Sequence, residues 1–479
     1  MMTKKYLIYI ALVSIGTVLF SCKDDWEQRN EVQNIDNTVN LSQKLIAQPN
    51  FSVFNEYVKA TGYDKLLESS QNYTVWAPTN AAIAGLDPAI IASPTKLKDY
   101  VANHIALATF PVSKKNGDTI RVKLLNNKYA TIIGSKFEEG NIIGEGQFVK
   151  NGVLHTLDHA MATKANIWDY ILNSTDATLQ TNFISNLSTM VIDSAKATII
   201  GYKSNGEPIF APNPPTIARN TYWVNVADLR DESQQYTYFM LQNAAFTSES
   251  AKLATYYPSI DPNFNSSFYL VKDLTVKGLY PVNKLPDTLI SVGGVKVPIS
   301  KAAIVKSYNA SNGIVYVVNA LPFRLKDKVP EFKIEGEKPF GFSANRTVLY
   351  RTKLDDLGKP FNDIEVYNHG VAEFSIFYIK PNLPFVKYKV YAKAIAGLPG
   401  DSQVAAFTQR FFVYNTSTVA YTLFYTHLVN PLSYAEVYMG EYTPQQFGLL
   451  QFRLTAANST AKDVSTVILD YLRFEPILP

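Results

Sequence analysis

Five histidines and a single cysteine are the residues of this 479-residue chain best suited to nucleophilic or metal chemistry. One cysteine, Cys22, excludes disulfide frameworks, CxxC redox pairs and Cys-based zinc sites. His155 and His159 are four apart with Asp158 between them. On one strand they would share a face but stand about 13 Å apart, too far to hold one ion, so the pair reads as structural. Asp261-x-Asn263-x-Asn265 opens like a calcium loop, yet Ser266 replaces the turn glycine and Lys272 stands where the bidentate acid belongs. Gly358-Lys359 is followed by Pro360, which is no phosphate-binding loop, and Gly144-Glu-Gly146 lacks the third glycine of a dinucleotide fingerprint. Neither G-x-S-x-G nor H-E-x-x-H occurs. Asp355-Asp356, Glu335 and Glu337 are isolated charges and read as solvated. The sequence therefore predicts a non-enzyme with no catalytic residues, no cofactor and no metal.

Lys4 and Lys5 precede an apolar run from Tyr6 to Phe20, short for a membrane span and normal for a signal-peptide core. Leu19-Phe20-Ser21-Cys22 resembles a bacterial lipobox. That resemblance implies cleavage before Cys22, lipidation of its sulfur and acylation of the new N-terminus. Each buried CH₂ contributes about 0.8 kcal/mol, so several chains together anchor stably. Lys23, Asp24 and Asp25 resemble the surface-export signal of Bacteroidetes lipoproteins. The expected location is the outer membrane, lipid-anchored and facing the cell exterior. From Trp26 to about Asn40 the chain is polar and reads as a tether.

The body of the chain contains a repeat. Tyr73-Thr-Val-Trp-Ala-Pro-Thr-Asn-Ala-Ala-Ile83 aligns with Tyr236-Thr-Tyr-Phe-Met-Leu-Gln-Asn-Ala-Ala-Phe246, an offset of 163. Asn151-Gly-Val-Leu-His-Thr-Leu-Asp158 aligns with Asn312-Gly-Ile-Val-Tyr-Val-Val-Asn319, an offset of 161. Two pairs at nearly one offset indicate a duplicated domain. The first copy resembles the fasciclin domain: Thr74 to Ile83 matches its first signature, Asn151 to Asp158 its second, and Asn103-His104-Ile105 its central His motif. The second copy is degenerate. Met240-Leu241-Gln242 replaces Ala-Pro-Thr, Tyr316 stands where the His would be, and no central His is evident.

Local patterns agree with an α+β domain. Phe51, Phe54, Val58 and Thr61 fall on one helical face, and Leu97, Tyr100, Val101 and His104 on another. Ser93-Pro94 reads as an N-cap and first helical residue. Pro78 ends a strand, Thr79 or Asn80 caps the next helix, and Asn151-Gly152 supplies a tight turn. Val75 and Ala77 are expected on one side of a buried strand, with Asn80 satisfying backbone groups at the strand-to-helix turn.

The last third is β-like. Tyr388, Val390 and Ala392 alternate with Lys389, Tyr391 and Lys393. Ala372 to Ile379, Phe411 to Tyr414, Tyr421 to Tyr425, Leu449 to Leu454 and Val467 to Phe474 are further strands, separated by turns such as Gly397-Leu-Pro-Gly400. Strands of this length over this span predict a β-sandwich. Lys387 to Tyr391 and Ile468 to Glu475 resemble strands of galactose-binding-like jelly rolls.

The expected fold is α+β: two fasciclin-like domains in tandem, the second degenerate, followed by a β-sandwich or jelly roll. The boundaries read as signal peptide 1–21, lipidated tether 22–38, domains 39–164 and 165–328, and the sandwich 329–479.

Function follows from composition and resemblance together. Apolar residues are 47% and charged residues 18%, which fits folded material of two to four domains. A net charge of +4 with no basic cluster gives no nucleic-acid partner. Sugars stack their C–H faces on aromatic rings, and Tyr414, Tyr421, Tyr425, Tyr434, Tyr438 and Tyr442 are dense enough to serve as contacts for glycan or a partner. Asp118-Thr119-Ile120, Asp193-Ser194-Ala195 and Asp287-Thr288-Leu289 resemble Bacteroidetes O-glycosylation acceptors, at Thr119, Ser194 and Thr288. Family resemblance implies adhesion and binding. The first expectation is an accessory to a TonB-dependent porin and its substrate-binding lid lipoprotein, as in starch-utilisation-type polysaccharide uptake. The alternative is a general adhesin binding host matrix or neighbouring cells.

Overall fold

The computed structural model describes residues 36–111, 119–259, 264–371, 374–457 and 465–479. Cys22, Lys23, Asp24 and Asp25, together with Asp261 and Asn263, lie outside the described residues. The chain divides into two compact units. The first holds the described residues up to Asn166 with Arg230–Gln234 and Ala310–Asn312; the second holds Ile167–Leu229, Gln235–Asn309 and Gly313–Pro479.

In the first unit, helix Leu41–Ile46 starts from a reciprocal capping box between Asn40 and Gln43. Helix Pro94–Ala102 starts where the sequence predicts, with the Ser93 hydroxyl accepting from Lys96 N–H and Pro94 in its first turn. Phe51, Phe54 and Val58, at and along helix Ser52–Ala60, are buried. Strand β1 (Tyr73–Pro78) is buried at every position. Val75 and Ala77 enter a core shared with the helices, whereas Trp76 enters a second core and stacks on Phe137 at 4.7 Å. A strand between two layers reads as continuously apolar, and each large side chain so buried contributes roughly 1.5–3 kcal/mol.

The remaining strands are β2 (Ile105–Ala106), β3 (Thr119–Lys123), β4 (Tyr129–Ile133), β5 (Lys136–Phe137), β6 (Gly140–Val149) and β7 (Gly152–Leu157). They order as β2-β1-β7-β6-β5-β4-β3. β1 and β7 run parallel, with Tyr73 opposite Gly152 and Pro78 opposite Leu157. Asn151 turns the β6–β7 hairpin as expected, and Gly152 is required by close approach. A Cβ there would stand 1.8 Å from the Tyr73 carbonyl oxygen.

The second unit opens with helices Ile167–Asn173 and Thr178–Ser185. Four strands that the sequence reading did not anticipate follow: β8 (Ser188–Ile192), β9 (Ile199–Tyr202), β10 (Pro208–Phe210) and β11 (Thr216–Asn220), pairing β8 with β11 and β9 with β10. The duplicated core then appears in β12 (Tyr236–Leu241), β13 (Thr275–Lys277), β14 (Thr288–Ile290), β15 (Lys296–Pro298), β16 (Ile304–Ala310) and β17 (Gly313–Val318). Its main sheet orders as β13-β12-β17-β16, and β14 pairs with β15 separately. β12 and β17 are parallel, with Tyr236 opposite Gly313 and Leu241 opposite Val318. Strand order and register repeat those of β2-β1-β7-β6.

The C-terminal region consists of β18 (Phe332–Glu335), β19 (Gly341–Phe342), β20 (Leu349–Leu354), β21 (Pro360–Val366), β22 (Ser375–Leu383), β23 (Tyr388–Lys393), β24 (Phe407–Asn415), β25 (Ala420–Val429), β26 (Val437–Tyr442), β27 (Gly448–Ala456), β28 (Val467–Leu469) and β29 (Tyr471–Pro476). A four-stranded sheet, β18-β29-β23-β26, and a five-stranded sheet, β19-β22-β27-β24-β25, share one core. Tyr388, Val390 and Phe474 enter it from the first sheet; Tyr378, Phe411 and Phe452 enter from the second. This is the expected sandwich. β20-β21-β28 forms a third, smaller sheet. The closing segment Val467 to Phe474 breaks into two strands at Asp470. There Gly336 N–H reaches the Asp470 carbonyl at 2.6 Å, and a Cβ on Gly336 would fall 1.9 Å from the Leu469 oxygen.

Candidate ligand-binding face

The signature residues of the first repeat are occupied internally. Thr74 Oγ1 donates to Ala108 C=O at 2.7 Å and accepts from Phe110 N–H at 2.8 Å. Buried His104 bonds the Tyr100 carbonyl through Nδ1 at 2.8 Å and accepts from Met161 N–H at Nε2, 3.3 Å. The acceptor role of Nε2 fixes the Nδ1–H tautomer, and burial holds the imidazole down to about 4, hence neutral. His155 stacks on Trp76 and donates through Nε2 to Phe110 C=O at 2.8 Å. Asn151 accepts from Leu41 N–H and donates to the Leu67 and Ser69 carbonyls.

Two expectations need correcting. β7 ends at Leu157, so His159 does not share a strand with His155; it is exposed and pairs with Asp158. Asn80 does not serve its own turn, which Thr79 caps through Ala82 N–H. Its amide instead accepts from Val53 N–H at 3.1 Å and donates to Pro49 C=O at 3.0 Å, at the start of helix Ser52–Ala60.

The second repeat performs the same tasks with other side chains. Thr237 Oγ1 donates to Gly278 C=O at 2.9 Å and accepts from Tyr280 N–H at 3.1 Å. Tyr316, at the His155 position, donates its hydroxyl to Tyr280 C=O at 2.8 Å. Asp273 and Lys328 form a fully buried pair at 2.6 Å that the sequence reading missed; Ser291 also donates to Asp273, and Lys328 to Tyr269 C=O. Burial pulls the Lys328 ammonium down to about 8 against the Asp273 charge. Nothing in a one-dimensional reading connects residues 55 positions apart.

The six tyrosines proposed as contacts do not gather into one patch. Tyr425 and Tyr442 pack against the sandwich core. Tyr434 lies in the segment between β25 and β26, and Tyr438 faces outward on the four-stranded sheet beside Tyr391. Tyr414 and Tyr421 meet edge to face at 5.3 Å on the outward side of the five-stranded sheet.

That outward side carries the residues best arranged for recognition. Across neighbouring strands, Phe377 lies opposite Arg453, Arg453 opposite Phe412, and Phe412 opposite Leu423. The Arg453 guanidinium stands 4.3 Å from the Phe412 ring centroid and 4.9 Å from that of Tyr421. Among the described residues, Arg453 forms no ion pair, and its buried Nε has no hydrogen-bond partner. Phe377 and Tyr421 are also neighbours, at 6.0 Å. Sequence did contain part of this pattern: Gln451, Arg453 and Thr455 alternate with buried Phe452 and Leu454. Phe377 and Phe412 were hidden because apolar residues occupy both faces of their strands.

The opposite sheet contrasts with it. Arg473 engages Glu436, Glu331 and Glu475, and it also covers Tyr391, so this guanidinium is satisfied from within. Elsewhere, Arg351 forks onto Asp363 and reaches Glu365, while Lys353 pairs with Asp401. Burial raises the Glu365 carboxyl. Two cations meeting three carboxylates form a closed ionic cluster. Among the described residues, no group of three or more His, Cys, Asp or Glu side chains is placed to hold a metal ion. An open cleft of about 680 Å³ is lined by Phe385, Phe447, Asn265 and Gln446 among others. The three acceptor hydroxyl residues Thr119, Ser194 and Thr288 are all exposed.

A fasciclin-domain profile matches residues 49–163. No curated protein is significantly similar to the chain. Solved structures similar to it include the fasciclin-domain pair of the insect cell adhesion molecule Fasciclin I, at 14% identity and TM-score 0.21, covering 60% of this chain and 97% of that one. A carbohydrate-binding module from a Cellvibrio mixtus lichenase, solved with cellotriose, has 11% identity and TM-score 0.20, covering 31% and 98%. A xylan-binding domain from Paenibacillus barcinonensis has 14% identity and TM-score 0.20, covering 31% and 95%. At such TM-scores these likenesses carry no weight for the chemistry of this chain.

Proposed function

We propose that this chain, which carries a fasciclin domain at residues 49–163, is a non-catalytic binding protein that holds polysaccharide on the outward face of its five-stranded sheet. The observation that carries the reading is the row Phe377–Arg453–Phe412–Leu423 with the Tyr414–Tyr421 pair beside it. Rings on a sheet face offer apolar platforms to sugar C–H faces, and a guanidinium free of ion pairs offers donors to their oxygens. The fasciclin repeats, by contrast, spend their polar signature residues on their own backbones.

Placement enters the proposal through the N-terminal sequence. Cys22 anchors the protein by acyl chains in the outer membrane, and Lys23-Asp24-Asp25 directs it to the cell exterior. There it serves a TonB-dependent porin and its lid lipoprotein as an accessory that gathers polysaccharide. A fasciclin domain also fits adhesion to host matrix or neighbouring cells, the second reading.

The test is calorimetric titration of the lipid-free chain with polysaccharides, alongside the double variant Phe412→Ala/Tyr421→Ala. Binding that falls at least tenfold in the double variant supports the reading. Binding that survives it overturns the sheet face as the site. Wild-type protein that binds no polysaccharide but adheres to matrix proteins or cells favours adhesion.

A further inference from the structure

We infer that the polysaccharide held by the outward face is acidic, bearing carboxylate or sulfate groups. This deepens the proposed function and rests on it.

Charge distribution carries the inference. The five strands of the sheet, β19, β22, β24, β25 and β27, contain no aspartate or glutamate. Their outward positions include Arg453 and Arg410, and among the described residues neither forms an ion pair. The facing sheet is built differently. Its strands carry Glu335, Glu441 and Glu475 among four cations, of which Arg473 and Lys393 pair with carboxylates. Carboxylates thus stand among the cations of one sheet and are missing from the strands of the other.

Position makes the two arginines a unit. Arg453 pairs with Phe412 across β27 and β24, and Arg410 lies two residues before Phe412 on the same face. Diagonal neighbours of this kind stand roughly 7–8 Å apart. Arg410 is exposed. Arg453 is fixed between Phe412 and Tyr421, so its planar fork is held in place before any ligand arrives. A guanidinium matches the two oxygens of a carboxylate or sulfate. A neutral sugar would use the rings and leave this cation without a counter-charge. An acidic sugar uses both.

The experiment titrates the full lipid-free chain with polygalacturonate, with the same polymer methyl-esterified, and with dextran sulfate against uncharged dextran. Expected is at least tenfold tighter binding of polygalacturonate than of its ester, or of dextran sulfate than of dextran. The first result assigns carboxylate and the second sulfate. Arg410→Gln, at an exposed position, and Arg453→Gln should each remove most of that preference. Phe412→Ala should weaken charged and neutral polymers alike. Equal affinity for acidic and neutral partners, no binding of either acid, or a preference that survives Arg410→Gln overturns the inference. Neutral binding that Phe412→Ala abolishes would leave the general reading standing while removing the acidic one. Binding indifferent to Phe412→Ala would remove both.

Discussion

Two copies of one β-core, Tyr73 to Leu157 and Tyr236 to Val318, keep strand order and register while exchanging many of the side chains that lock them. Trp76 N–H bonds the His104 carbonyl, and Phe239 N–H bonds the Leu274 carbonyl, both at 2.9 Å. Thr74 and Thr237 clamp the following segment in the same way. Around this fixed frame, His155 gives way to Tyr316 and His104 to Leu274. The neutral fastening of His104 and Asn103 to Met161 gives way to the buried ion pair of Asp273 with Lys328. The lesson is that the fold constrains backbone hydrogen bonds and close approaches, and several side-chain chemistries satisfy the same geometry.

The comparison breaks most severely at what both copies share. A Cβ at Gly152 would stand 1.8 Å from Tyr73 O, and one at Gly313 would stand 2.1 Å from Tyr236 O. Neither carbonyl can retreat without parting the central parallel strands. Gly152→Ala and Gly313→Ala should each destabilise by roughly 4–5 kcal/mol, enough to unfold the affected repeat. Hydrogen exchange on β1 or β12 reads the loss locally. Native protection in either variant would show that the parallel pairing is not what fixes these glycines.

The two fastenings should differ next. Lys328→Met leaves Asp273 buried with only Ser291 for company, an expected loss of about 3–4 kcal/mol. The double variant Lys328→Met/Asp273→Leu should recover more than half of it, since replacing a buried pair by apolar residues is often neutral. Chemical denaturation of both variants measures this. A double variant as unstable as the single one would mean that the pair itself, and not the stranded charge, holds the exit of the second repeat.

How much of this was legible in the sequence depended on where each signal lies. The duplication was legible because Asn-Gly and Tyr-Thr recur at nearly one offset, and both prove to be backbone requirements. Strand Tyr388–Lys393 was legible because its buried and half-buried positions alternate. β8 to β11 escaped because their residues are mostly exposed, including Met190, Ile200 and Tyr202, so no buried face marks them. The proposed binding face was read only in part. Tyr414 and Tyr421 stood out by residue type, whereas Arg453 gains its meaning from strands 41 and 32 residues earlier, at Phe412 and Tyr421.

Acid should separate the repeats. His104 titrates at about 4 in the fold against 6.5 when free, because burial disfavours the imidazolium. Between those values the unfolded chain binds more protons, so stability rises with pH and is lost as pH falls from about 6.5 to about 4. The full window is worth about 3 kcal/mol for this one group. His155, also depressed by burial, acts in the same direction. The second repeat contains no histidine between Ile167 and Lys328. Hydrogen exchange at pH 7 and pH 4.5 should show protection falling in β1 and β7 but not through this route in β12 and β17. His104→Leu, the residue type at position 274, should flatten the slope of the first repeat. An unchanged slope would place the acid sensitivity elsewhere.

The smallest effect tests the exchange of His155 for Tyr316. Each donates one hydrogen bond to a carbonyl of the segment that follows the edge strand, Phe110 in one copy and Tyr280 in the other. Each also stacks on the aromatic residue of the neighbouring strand, Trp76 or Phe239, at 6.0 and 5.9 Å. Tyr316→Phe keeps the ring in that stack and deletes only the donor, whereas His155→Phe also exchanges the imidazole for a larger phenyl. A net hydrogen bond is worth about 1 kcal/mol, so Tyr316→Phe should lose about that much and His155→Phe at least as much, and neither should alter the proposed polysaccharide binding. Thermal unfolding and the calorimetric titration together decide it. Small losses in both variants would confirm that the two side chains perform one structural task. A loss of binding confined to His155→Phe would give the first repeat a ligand that the second has given up.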